Sequence, residues 1–83
     1  PSTGRYKIVN KQGGRYLNEL GRFWKDRDLN PYNPEWHTFT LTRQEGTYTI
    51  QCGGRAGNGF WTVNGDGLGN GDTPARFEIV KPQ

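Results

Sequence analysis

The sequence predicts an all-β domain made of two units of about 42 residues, each with about four short strands. Three observations carry this reading. GRYKIV at 4–9 is echoed by GTYTIQ at 46–51, with glycine, tyrosine and isoleucine in matching places. GGRYLNELG (13–21) follows the first copy and GNGFWTVNG (57–65) the second, each a glycine turn, two large apolar residues, a short polar run and another glycine. Finally, 13 glycines and 5 prolines interrupt the chain too often for helices of three turns.

Four segments alternate polar and apolar residues as half-buried strands do: 5–9, 38–42, 47–51 and 76–80. The best helical window is 17–29, but Gly21 interrupts it and its apolar spacing is irregular. Aligning the units matches Tyr6 with Tyr48, Ile8 with Ile50, Tyr16 with Phe60, Leu17 with Trp61, Gly21 with Gly65, Phe39 with Phe77 and Leu41 with Ile79. The first unit (about 4–45) carries extra residues between its glycine and its Phe strand, and the second (about 46–83) a slightly longer turn before Phe60. The extra residues of the first unit lie in RFWKDRDLNPYNPEWHT, 22–38.

An 83-residue chain makes one small domain. Leu, Ile, Val and Phe form only about 18% of it, so the 11 aromatic residues must supply much of the core. With one cysteine, Cys52, no internal disulfide staples the fold. Such a domain relies on self-association or on a larger parent chain. No apolar run reaches membrane-spanning length and no charged, then apolar, export segment opens the chain, so the expectation is no membrane span. The lone thiol suits a reducing, cytoplasmic setting.

The run GRYKIVNKQGGRYLNELG resembles the opening of a repeat in ricin-B-like and fascin-like β-trefoil proteins, where Tyr-x-Ile-x-Asn, a turn and Gly-x-Tyr-Leu follow one another. FTLTRQEGTYTIQC resembles the junction between two such repeats, and NGFWTVNGDGLGNGDTPARFEIV the remainder of a second. The resemblance covers nearly the whole chain through short motifs and implies β-trefoil-like repeats. The ricin-type Gln-x-Trp is absent, and Asn18 and Thr62 stand where that family often has an Asp that grips sugar hydroxyls. A trefoil closes with three repeats and this chain has two, so it is a fragment, or several chains pool repeats, or it closes as a small β-barrel. A self-associating domain is the preferred expectation.

The chemistry points away from catalysis. Ser2 is the only serine, which excludes a Ser-His-Asp triad. Cys52 with His37 is the one conceivable dyad, but a lone strand-end cysteine is more often an inert small residue. No carboxylate pair stands in a diagnostic setting, and one histidine with one cysteine makes no zinc site. NGDGLGNGD (64–72) fails as a calcium loop, with Leu68 and Ala75 at ligand positions, and reads as a hairpin turn. No cofactor is implied. Net charge is +3, with 8 Lys/Arg against 4 acids in residues 1–43, but no basic cluster argues for nucleic acid. Arg22, Trp24 and Lys25 form at most a small basic-aromatic patch.

Segment 22–38 is the candidate site. Its aromatics alternate with Asp26, Asn30, Asn33, Glu35 and His37, and two prolines stiffen it. Some of those aromatics, Phe23 and one tryptophan, are needed for the core. The others suit a sugar, whose apolar ring face packs on an aromatic while Asn and Asp hold its hydroxyls. The expected carbohydrate-binding residues are Trp24, Asp26, Tyr32, Asn33 and Trp36, with Asn18 and Asn64 or Asp66 at the family-like turn positions. The expectation is a small non-enzymatic lectin whose avidity for glycans comes from homo-oligomerisation. The same side chains also suit a protein-interaction module, a β-trefoil protease inhibitor or fascin-like cytoskeletal binder, with NPYNPEW (30–36) as its exposed loop.

Overall fold

The computed structural model describes residues 1–53 and 59–80. It contains strands β1 (Gly4–Tyr6), β2 (Tyr16–Leu17), β3 (Phe23–Trp24), β4 (Phe39–Gln44), β5 (Thr47–Cys52), β6 (Phe60–Asn64) and β7 (Gly67–Gly71). Five form an antiparallel sheet in the order β1-β4-β5-β6-β7, and β2 pairs with β3 in a separate hairpin. The domain is all-β. Its helical pieces among the described residues are two 3₁₀ turns, Asp26–Asp28 and Pro34–Trp36, and no helix is long and apolar enough to cross a membrane. The window 17–29 holds the β2–β3 hairpin and the first of these turns rather than a helix, because the chain reverses at Gly21, where φ is +78°.

The β4–β5 hairpin is the part most directly written in the sequence. Phe39 and Leu41 on β4 and Tyr48, Ile50 and Cys52 on β5 are buried, and the residues between them are more exposed. The ladder places Phe39 opposite Cys52 and Leu41 opposite Ile50, so one face of the pair is continuous core. Glu45 and Gly46 connect the strands with φ of +53° and +80°, the pattern of a two-residue type I′ turn, whose twist matches that of the strands.

Two expected strands come out shorter. Of 5–9, Arg5 and Tyr6 lie on β1, and Val9 makes an isolated bridge to Tyr16. Segment 76–80 contributes a single bridge, Phe77 to Tyr48. Segment 5–9 leaves β4 after Tyr6 to meet β2, where Leu17 N–H donates to the Ile8 carbonyl at 2.8 Å. Segment 76–80 shares one edge of β5 with Phe60, which pairs at Gln51, while β4 occupies the other. The pairings of the two halves run in parallel. Tyr6 faces Phe39 and Tyr48 faces Phe77; Val9 faces Tyr16 and Gln51 faces Phe60. In each half the chain starts against its own later Phe segment and then crosses to the hairpin strand that follows. Part of the expected glycine turn before Phe60 (57–58) and residues 81–83 lie outside the described residues.

Leu17, Phe39, Leu41, Tyr48, Ile50 and Cys52 form the buried core, with Tyr6, Ile8, Trp61 and Phe77 packed against it. Trp61 sits edge-on between Phe39, at 5.5 Å, and Phe77, at 6.2 Å, joining the two Phe segments through one indole. Gly59 closes the β5–β6 crossing: its carbonyl accepts from Cys52 N–H at 3.0 Å, its φ is +73°, and a Cβ there would overlap the Cys52 carbonyl. The N-terminal residues are tied down as well, since the Tyr48 hydroxyl donates to the Pro1 carbonyl and Arg43 N–H donates to Thr3 Oγ1 at 2.9 Å.

Candidate functional site

The site is assembled from the turn of the β2–β3 hairpin and the long return that follows. Tyr16 pairs with Trp24 and Leu17 with Phe23, leaving residues 18–22 as the connection. Asn18 organises that connection. Its backbone N–H donates to the Arg22 carbonyl at 2.8 Å, its own carbonyl accepts from Gly21 N–H at 3.0 Å, and its Oδ1 accepts from both Leu20 and Arg22 N–H at 3.0 Å. Asparagine favours such turns because its side-chain carbonyl stands in for a backbone acceptor. The residue is buried, at 2% exposure, and its Nδ2 is the one buried side-chain nitrogen or oxygen among the described residues with no hydrogen-bond partner. The two bonds to Oδ1 fix which end of the amide is the donor.

Beyond Trp24 the return is a chain of small turns. The Asp26–Asp28 turn leads to buried Leu29, and Asn30 Oδ1 accepts from Tyr32 N–H at 2.9 Å. Pro34 starts the second 3₁₀ turn, with Thr38 Oγ1 donating to its carbonyl at 2.7 Å. The Cys52 thiol donates to the Glu35 carbonyl at 3.2 Å, which pins this turn to the end of β5. His37, buried at 6% exposure, then enters β4 two residues before Phe39.

Hairpin and return enclose a cavity of about 200 Å³ lined by Asn18, Glu19, Trp24, Leu29, Asn30, Trp36 and His37. Three expected residues thus meet: Asn18, Trp24 and Trp36. The others do not line this cavity. Asp26 is exposed on the first 3₁₀ turn, Tyr32 is 89% exposed, and half-buried Asn33 precedes Pro34. Asn64 and Asp66 belong to the β6–β7 hairpin, where Gly65 has φ of +62°, as the first central residue of a type II′ turn requires. Asn64 borders a more open recess of about 470 Å³, with Thr62, Asn70, Asp72 and Thr73 among its lining.

Sequence reasoning overlooked Glu19 and Leu29, and noted Asn30 and His37 in the segment without choosing them. His37 had a signal: it extends backward, by two residues, the alternation of Phe39 and Leu41. A third concavity, of about 430 Å³, is apolar and lies between the hairpins, lined by Ile8, Leu17, Leu20, Phe23, Trp61 and Leu68 with Gly21, Gly69 and Asn70. No protein-family model, curated protein or solved structure matches the chain.

Proposed function

We propose that this chain is a small non-enzymatic lectin built from two β-trefoil-like repeats, holding a glycan residue in the cavity of Asn18, Trp24 and Trp36. The observation that carries the reading is the convergence of two tryptophans from separate segments on one cavity that also contains two asparagines, a glutamate and a histidine. Indole faces and fixed amide and carboxylate groups are what a sugar ring needs on its apolar and polar sides. The repeat reading is supported by the parallel pairings, Tyr6 with Phe39 and Tyr48 with Phe77. A non-catalytic role is favoured by Cys52, which is buried with its thiol bonded to backbone carbonyl.

Self-association is the source of avidity in this reading. The apolar groove between the hairpins leaves Leu20 at 48% and Leu68 at 64% exposure, surface that a second copy would cover. Leu68→Glu is expected to convert an oligomer to monomer on a sizing column with light scattering, and an unchanged mass would remove this face from the interface.

A glycan array with the labelled chain at low and high salt tests the function. Salt-resistant binding to a neutral glycan class is expected. Binding only to sulfated glycans, lost at high salt, would move the site to the basic residues of the first half. Tyr32, 89% exposed in the proline-flanked loop, favours a second reading as a protein-interaction loop of inhibitor type. That reading predicts a blank array and stoichiometric inhibition of a protease.

A further inference from the structure

We propose that the cavity of Trp24 and Trp36 ranks sugars by charge, with Glu19 setting the order: a protonated amino sugar binds tightest, a neutral sugar next and an acidic sugar least. This rests on the carbohydrate-binding reading above. Glu19 is the only Asp, Glu, Lys or Arg of the lining, and His37 is its other ionisable residue. Glu19 is half-buried, and its carboxylate makes no ion pair or hydrogen bond with the described residues. The chain as a whole is basic, with 11 Lys/Arg against 8 Asp/Glu, so the cavity opposes the sign of the molecule around it. A carboxylate held partly out of water without a partner gains from an approaching cation and resists a second anion.

The rest of the wall favours the same order. Trp24 and Trp36 line the same space, and an indole face attracts a cation through its quadrupole. A cavity of 200 Å³ is narrower than the roughly 8 Å over which physiological salt screens exposed charges. Any charge lodged there therefore stays within reach of Glu19, whichever way its carboxylate turns. The backbone beside Glu19 is fixed as well, because Asn18 Oδ1 holds the N–H groups of Leu20 and Arg22. Specificity then comes as much from repelling acidic sugars as from attracting the others.

The test titrates the full chain with glucosamine, glucose and glucuronate, one pyranose scaffold carrying a positive charge, none and a negative charge. The buffer keeps the amine protonated and the uronate ionised, and binding is read by calorimetry and by the indole N–H resonances. Each step down the series is expected to weaken binding about fivefold, the worth of one partly screened charge pair, and added salt should compress the steps. Signals of Trp24 and Trp36 should shift while that of Trp61 stays. Glu19→Gln keeps the shape and removes the charge, so glucose binding should change about twofold or less while each step shrinks to about twofold or less. Glu19→Asp, which keeps the charge, should keep the steps. Equal binding of the three sugars, or steps that survive in Glu19→Gln, would overturn the charge proposal and leave the lectin reading standing. So would a shift confined to Trp61. Failure of every sugar, together with a blank array, would overturn both. If Glu19→Gln does not fold, loss of the steps at high salt and their retention in Glu19→Asp decide in its place.

Discussion

The recess beside the β2–β3 hairpin and the recess beside the β6–β7 hairpin occupy comparable places, yet they are chemically opposite. Each lies between a hairpin and the segment returning to a core Phe: residues 18–37 before Phe39, and residues 62–75 before Phe77. In the first, β3 contributes Trp24, and the longer return brings back Leu29, Trp36 and His37, closing a volume of about 200 Å³. In the second, β7 is Gly67–Gly71, the return is short, and about 470 Å³ stays open among Thr62, Asn70, Asp72 and Thr73. The scaffold therefore supplies a place, and a few added residues decide whether that place is an aromatic cavity or a wet polar recess.

The largest expected effect erases the difference altogether. Phe39, fully buried and in edge contact with Trp61, lies between the two regions, and Phe39→Ala should cost about 3–5 kcal/mol of stability in urea unfolding, enough to loosen both. A loss below about 1 kcal/mol would show that the regions do not share a core. Trp36→Ala sharpens the contrast in the opposite way. It should leave the fold intact and weaken glycan binding about tenfold or more, while Asn64→Ala changes it about twofold or less. If Asn64→Ala were the damaging change, the open recess would be the site.

Smaller still is the contrast at the turn. Asn18→Ala removes two hydrogen bonds from the connection and should destabilise by about 1–2 kcal/mol, against about 0.5 kcal/mol or less for Thr62→Ala in the other hairpin. Equal effects would mean that Asn18 is not the organiser of its turn. At the bottom of the scale, Tyr32→Ala should alter stability by no more than about 0.5 kcal/mol, as its side chain is largely in water. Inhibitor activity lost in that variant, with sugar binding absent, would favour the protein-interaction reading.

These contrasts also mark what was legible in the sequence. β4 and β5 declare themselves because strict alternation, a two-residue turn and burial all agree. β7 does not. GLGNG has little strand propensity, and it extends only because β6 beside it offers a ladder, Trp61 to Asn70 and Thr62 to Gly69. Segment 76–80 shows the reverse failure, good alternation with too little free strand edge to pair with. At the site, the density of aromatics pointed to Trp24 and Trp36, but the fold had to show that they share one cavity. Asn18 was legible as a family-like turn position, but not which role its amide takes: the same group suits a ligand and a turn, and here its oxygen serves the turn. Asn64 and Asp66 came from the turn positions of the resemblance, and both do lie at the β6–β7 turn, away from the cavity of Trp24 and Trp36.

The bond from the Cys52 thiol to the Glu35 carbonyl gives the molecule a built-in clock. Cys52 is the chain's sole sulfur and is 1% exposed, so an alkylating reagent reaches it when the structure covering it opens, and the return that carries Trp36 is part of that cover. The rate of covalent capture then counts openings of that cover, the cavity's wall included, one event per molecule. A ligand lodged against that wall would slow the count, so occupancy becomes readable by mass alone, without a label and without knowing the ligand's identity.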